Sequence, residues 1–161
     1  MIQRIAIIAI VLLNIGCDQV SKNMVRNNIN PSERIELVGD NFILTKVENS
    51  GAMLGFGSEL SPILKLIFLQ ALPVLVLLVL LFRILRRTDM NKWLVFAFAC
   101  VIGGGIGNLI DRIAHGEVTD FFYIDLGGFF KTGIFNMADV SVTMGVILIL
   151  FLSIRYRKLD I

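Results

Sequence analysis

The sequence predicts an all-α membrane protein: four transmembrane helices with a small extracytoplasmic β-sheet and loops. Three observations carry this. The chain of 161 residues is 56% hydrophobic and 17% charged, with mean hydropathy +0.80, whereas soluble domains sit near about 45–50% apolar and 25% charged. Four apolar runs, at about 4–22, 62–84, 92–112 and 136–156, each approach the roughly 20 residues that cross a hydrocarbon core. Basic residues cluster at Arg4, from Arg83 to Lys92, and from Arg155 to Lys158. By the positive-inside rule both termini are then cytoplasmic, and the segments at about 23–61 and 113–135 lie outside. Residues 1–161 are expected to form one integral membrane domain. A net charge of only +2 does not point to a nucleic-acid partner.

The first run has Arg4 before an apolar core, as secretory signals do. No polar tether comes after it, however: Asp18-Gln19-Val20-Ser21-Lys22 continues the helix. Asn14, Asp18 and Lys22 recur at i, i+4 and i+8 and share one helical face. Taken plainly, this is an amphipathic helix end whose Asp18–Lys22 pair adds little stability.

From Asn27 to Ser61 the chain turns polar. Asn30-Pro31 marks a break and Gly39-Asp40-Asn41 is turn chemistry, with alternation around Ile35, Leu37, Phe42 and Leu44. A hairpin or small sheet is expected here, then a glycine-punctuated loop or short helix over 49–55. Pro62 suits the first turn of the second long helix, and Pro73 is expected to kink it. The third run starts at Trp93, an interface anchor, and ends in Gly103-Gly104-Gly105-Ile106-Gly107-Asn108-Leu109-Ile110-Asp111-Arg112. Gly103 and Gly107 have the spacing that lets helices approach closely. Gly104, Asn108 and Asp111 share a face too polar for lipid, so that face must meet protein or water. Val118 to Leu126 is rich in strand formers, with Phe129-Phe130 expected to start a return strand after Gly127-Gly128.

The chemistry is in the acids. Asp139 stands at the head of the last apolar run, where a carboxylate opposes insertion. Asp120 and Asp139 both have apolar flanks and no adjacent cation. Such surroundings desolvate a carboxyl, and a second carboxylate nearby raises one pKa of the pair further. The two would then share one proton and work as a general base and acid on a water and a carbonyl. The plainer reading is that both acids cap helix ends and bind loop amides. Ser61 and Lys65 at i, i+4 offer a serine–lysine pair of the kind any chain offers by chance. His115, the single histidine, reads as a surface residue, and Cys17 and Cys100 as free buried thiols. No His and Cys set has metal-ligand spacing, which argues against zinc chemistry.

Five blocks make the pattern specific: Asp18-Gln19-x-x-Lys22; Asn49-x-Gly51-Ala52; Gly103-Gly104-x-x-Gly107-Asn108-x-x-Asp111-Arg112; Val118-x-Asp120-Phe121; and Phe135-Asn136-x-Ala138-Asp139. In these blocks and their order the chain resembles bacterial lipoprotein signal peptidase (signal peptidase II) over nearly its whole length. The resemblance implies a four-helix inner-membrane aspartic protease with an extracytoplasmic β-cradle. Its substrates are diacylglyceryl-modified prolipoproteins, cut before the lipidated cysteine near the outer membrane face. It implies that Asp120 and Asp139 are catalytic, that Asn49, Asn108, Arg112 and Asn136 line the substrate site, and that Asp18, Lys22 and Asp111 support it. No cofactor and no metal is expected, membrane lipid is a partner, and the expected form is a monomer. One departure is visible: Leu54 stands where the family often carries Phe. The rival reading from another class is a small proton- or ion-coupled carrier using the same acids, which would more naturally hold them at mid-membrane within inverted repeats.

Overall fold

The computed structural model describes residues 2–87, 89–128 and 130–155. Four helices are long and apolar enough to cross a membrane: α1 (Ile2–Asn28), α2 (Pro62–Arg86), α3 (Lys92–His115) and α4 (Met137–Arg155). Between them lies one antiparallel sheet of β1 (Arg34–Val38), β2 (Phe42–Asn49) and β3 (Val118–Ile124), in the order β1-β2-β3. The fourth run ends at Arg155 among the described residues, so the expected cluster at Arg157 and Lys158 lies outside them.

Helix α3 is the axis of the bundle. Its small residues Ala97, Ala99, Cys100, Gly103, Gly104 and Gly107 are all buried. Small side chains let neighbouring backbones come close, and in lipid such packing drives helix association, since apolar area alone does not. Gly107 is decisive for α1: a Cβ there would sit 2.5 Å from Asp18 Oδ2. Around α3 the other helices bury Ile7, Val11, Leu77, Ile84 and Leu152 against Leu94, Phe98 and Ile102. Their outer faces expose Leu12, Leu13, Leu75, Leu78, Ile147 and Phe151. That would be a liability in water and is the ordinary surface of a helix solvated by lipid.

Helix ends follow local chemistry. Asn91 caps α3 by accepting from Trp93 N at 2.9 Å, and Gly116 closes it in the left-handed region at φ 81. In α2 the residues just before Pro73 form a π-helical stretch, Leu66–Ala71. A widened turn absorbs the hydrogen bond that the proline ring cannot make. Helix α1 runs past its expected end near residue 22, to Asn28, because Lys22 and Arg26 find protein partners there.

The sheet caps one end of the bundle. Phe121 packs with Val25 of α1 and with Ile29 just past its end, backed by Leu44, Phe122 and Met137. Strand β1 is exposed on both faces, so the alternation of Ile35 and Leu37 buries nothing. Phe129 of the expected return strand lies outside the described residues, and among the described residues the chain after it makes isolated bridges, Asp125↔Lys131 and Phe122↔Phe135, and no full strand. The Phe135 carbonyl accepts from both Phe121 N and Phe122 N, so the segment acts as a clasp where the sequence predicts a full strand. Both cysteines are free. Cys100 is buried as expected, whereas Cys17 lies exposed on α1.

Candidate active site

Asp120 on β3 and Asp139 in the first turn of α4 line one cavity of about 540 Å³ at the sheet end of the bundle. Asn49, Asn108 and Arg112 line it as well. Asn136 does not. It is fully buried behind the two acids, because its side chain is spent on joining them. Asn136 Nδ2 donates to Asp120 Oδ1 at 2.6 Å and to Asn108 Oδ1 at 3.1 Å. Its backbone N donates to Asp139 Oδ2 at 3.1 Å, and its Oδ1 accepts from Asp139 N at 3.0 Å. Asn108 Nδ2 donates to the other oxygen, Asp139 Oδ1, at 2.9 Å.

Local sequence explains each placement. Asn136 and Asp139 are three apart and satisfy each other's backbone N–H groups, as in a capping box. The reading of Asp139 as a helix cap is therefore correct as far as it goes, and capping also fixes its carboxylate at the cavity wall. Asp120 pairs with Val47 across the sheet and Asn49 with Val118, so Asn49 and Asp120 are diagonal neighbours on one face. A register shift between Leu44 and Val47 turns β2 just before that pair. Asn49 Nδ2 then reaches Asp120 Oδ2 at 3.0 Å while its Oδ1 accepts from Gly51 N at 2.9 Å. Gly51 has no room for a side chain: a Cβ would lie 2.7 Å from the carbonyls of Gly55 and Phe56. Its own carbonyl accepts from Arg112 Nη2 at 2.9 Å, which ties α3 to this loop. Leu54, at the cavity mouth, is exposed and sits in the left-handed region at φ 58.

Burial pushes the Asp120 carboxyl from 3.8 up to about 6. The hydrogen bond from Asn49 opposes this, the negative charge of Asp139 adds to it, and Asn136 and Lys22 oppose it more weakly.

Beneath the cavity lies a buried ionic network. Asp18, Lys22 and Asp111 are each 0% exposed. Lys22 Nζ contacts Asp18 Oδ2 at 2.8 Å and Asp111 Oδ2 at 3.1 Å, and donates to Asn108 Oδ1 at 2.8 Å. This is far from the weak surface pair the i, i+4 spacing suggests, because complete burial changes what losing a partner costs. Asp18 Oδ1 also accepts from Ala138 N, so the network holds the start of α4. Arg26 is a member that the motifs do not contain: its Nη2 lies 2.8 Å from Asp111 and its Nε donates to Thr119 Oγ1 at 2.7 Å. The sequence does carry a signal for it, since Arg26 extends the stripe Asn14, Asp18, Lys22 by one more step of four. The Ser61–Lys65 pair does not form a site. Lys65 Nζ donates to Ser50 Oγ at 3.2 Å, and His115 is exposed.

The family model for signal peptidase (SPase) II matches residues 10–155. The chain belongs to the signal peptidase II family. It is 34% identical over 150 residues to a lipoprotein signal peptidase of Streptococcus thermophilus, covering 93% of each chain. It is 39% identical over 149 residues to that of Chlorobium luteolum, covering 87% of this chain and 86% of the relative. A bacterial membrane enzyme solved by the in meso method at 2.3 Å superposes with TM-score 0.82 at 29% identity, over 93% of this chain and 88% of that one. The protein is thus a multi-pass bacterial membrane protease of this family. The matched stretch contains all nine residues predicted for the site. Five of them line the cavity, Asn136 bridges its acids, and Asp18, Lys22 and Asp111 lie below it.

Proposed function

We propose that this protein is an aspartic endopeptidase that removes the signal peptide from diacylglyceryl-modified prolipoproteins, cleaving before the lipidated cysteine. The observation that carries the reading is that Asp120 and Asp139 line one cavity and are both hydrogen-bonded to Asn136.

In this reading Asp139 is the base and Asp120 holds the shared proton. Water attacks the scissile carbonyl carbon and gives its proton to Asp139, while Asp120 donates its proton to the carbonyl oxygen. As the tetrahedral intermediate collapses, the C–N bond breaks. The leaving amine takes the proton from Asp139, and Asp120 recovers its own from the hydroxyl as the carbonyl re-forms. Asn49 and Asn108 present carboxamides for an extended peptide backbone, and Arg112 orders the 49–55 loop through Gly51. An apolar signal helix enters sideways from lipid, and its lipid anchor holds the cleavage point at the membrane surface. Arg4, Arg86 and Arg155 occupy the helix ends away from the sheet. The positive-inside rule therefore supports cytoplasmic termini and a cavity near the outer face of the cytoplasmic membrane.

Asp120→Asn and Asp139→Asn should each abolish cleavage of a diacylglyceryl lipopeptide while leaving membrane insertion and melting temperature near wild type. Full processing by either variant removes the assignment. Proton-driven flux in reconstituted vesicles, with no proteolysis, would favour the carrier.

A further inference from the structure

A second cavity, of about 410 Å³, opens at the opposite end of the bundle on the seam between α1 and α2, lined by Arg4, Ile8, Phe82, Leu85 and Arg86. Its two cations are held in place. Arg4 Nε donates to the Leu85 carbonyl at 3.0 Å, which leaves both terminal nitrogens of the guanidinium for another acceptor. The Arg86 guanidinium lies over the Phe82 ring at 4.3 Å. Gln3 Nε2 donates to the Arg87 carbonyl at 3.0 Å and pins the two helix ends together. Below the cations the groove is aliphatic and aromatic, with Ile8 and Phe82 about half exposed toward the membrane. Among the described residues no carboxylate pairs with Arg4 or Arg86.

We propose that this groove binds one acidic phospholipid, with its phosphate between Arg4 and Arg86 and an acyl chain along Ile8, Phe82 and Leu85. Charge complementarity selects the occupant. Two guanidiniums above an apolar slot match a headgroup of net negative charge above a hydrocarbon chain, and basic pockets between transmembrane helices bind such headgroups. Guanidinium suits phosphate because its planar fork donates two parallel hydrogen bonds. A zwitterionic lipid carries the same phosphate but brings its own cation into a site that already has two. The site lies in the leaflet opposite the carboxylates and does not depend on how they act.

The test is native mass spectrometry of the full chain in neutral detergent, titrated with phosphatidylglycerol or phosphatidylcholine of matched acyl chains. The expected result is one retained phosphatidylglycerol at roughly tenfold lower lipid concentration than phosphatidylcholine, given a favourable contribution from each of two arginines. Arg4→Gln/Arg86→Gln should abolish the preference, while the charge-matched Arg34→Gln/Lys131→Gln at the sheet end should keep it. Ile8→Trp, which fills the slot and keeps both cations, should weaken retention of both lipids. Equal retention of the two lipids by the wild-type chain overturns the proposal whether or not any variant folds. So does loss of the preference in both charge variants alike, which would mean diffuse charge and no built site.

Discussion

Asn136 Nδ2 stands 2.6 Å from Asp120 Oδ1, with both residues buried, while the backbone of the same asparagine holds Asp139. One residue therefore sets the relation between the two acids. Asn136→Ala removes a donor from Asp120, a donor from Asn108 and the side-chain cap of α4. Cleavage should fall by about 100-fold in kcat, the scale seen when one preorganised donor is lost. Loss of the cap should cost about 1 kcal/mol of stability. Fluorogenic lipopeptide kinetics and thermal melts in detergent separate the two effects.

The raised pKa of Asp120 gives a pH dependence with a defined sign. Between pH 3.8 and about 6 the folded protein holds a proton that the unfolded chain releases. This group's contribution to stability therefore falls as pH rises across that window and is constant above it. Activity that needs protonated Asp120 is present below the folded value, so kcat/KM should fall as pH rises through about 6. Asn49→Ala removes a hydrogen bond that favours the ionised form and should move this limb to higher pH. A pH profile that is unchanged in Asn49→Ala would contradict the assignment.

Lys22→Met leaves Asp18 and Asp111 buried without their shared cation, although Arg26 still reaches Asp111. Breaking one partner out of a buried ionic cluster should cost about 3–5 kcal/mol. The triple change Asp18→Asn/Lys22→Met/Asp111→Asn should recover part of that loss, because no carboxylate is then stranded, although the partly exposed Arg26 loses its ion pair with Asp111. Even where it folds, the triple variant should cleave slowly, since Asn108 has lost the closer of the two donors, Lys22 and Asn136, that fix its amide toward Asp139. Melting temperature and kcat measured on the same preparations check both halves.

Gly51→Ala should act on substrate binding. Its Cβ would meet two carbonyls at 2.7 Å, so the loop must shift and Arg112 loses its acceptor. A rise in KM, with a smaller loss in kcat, is expected from steady-state kinetics, together with destabilisation of about 1–3 kcal/mol from overpacking.

The polar stripe on α1 and the glycine faces of α3 are legible in the sequence because a helix repeats its contacts every three to four residues. Hydropathy likewise marks all four long helices, since composition over a score of residues is enough to choose between lipid and water. The strength of the Asp18–Lys22 pair is not legible. Spacing alone makes it a minor surface contact, and only the close approach of α3 at Gly107 closes it off from solvent. The clasp at 130–135 differs from its expected strand for a related reason. Its residues favour strand, but whether a ladder forms depends on a partner edge, and β3 uses that edge only at single bridges.

Residue identity and local period were enough to give the membrane class, the order of helices and the list of groups with chemical potential. What needed the folded chain was who meets whom: that Asn136 sits behind the acids and not on the cavity wall, and that Lys22 reaches Asn108. Contacts between residues 86 or 16 apart in sequence depend on helix crossing and strand register. Those are set by packing summed over the whole molecule, and no window of the chain contains that sum.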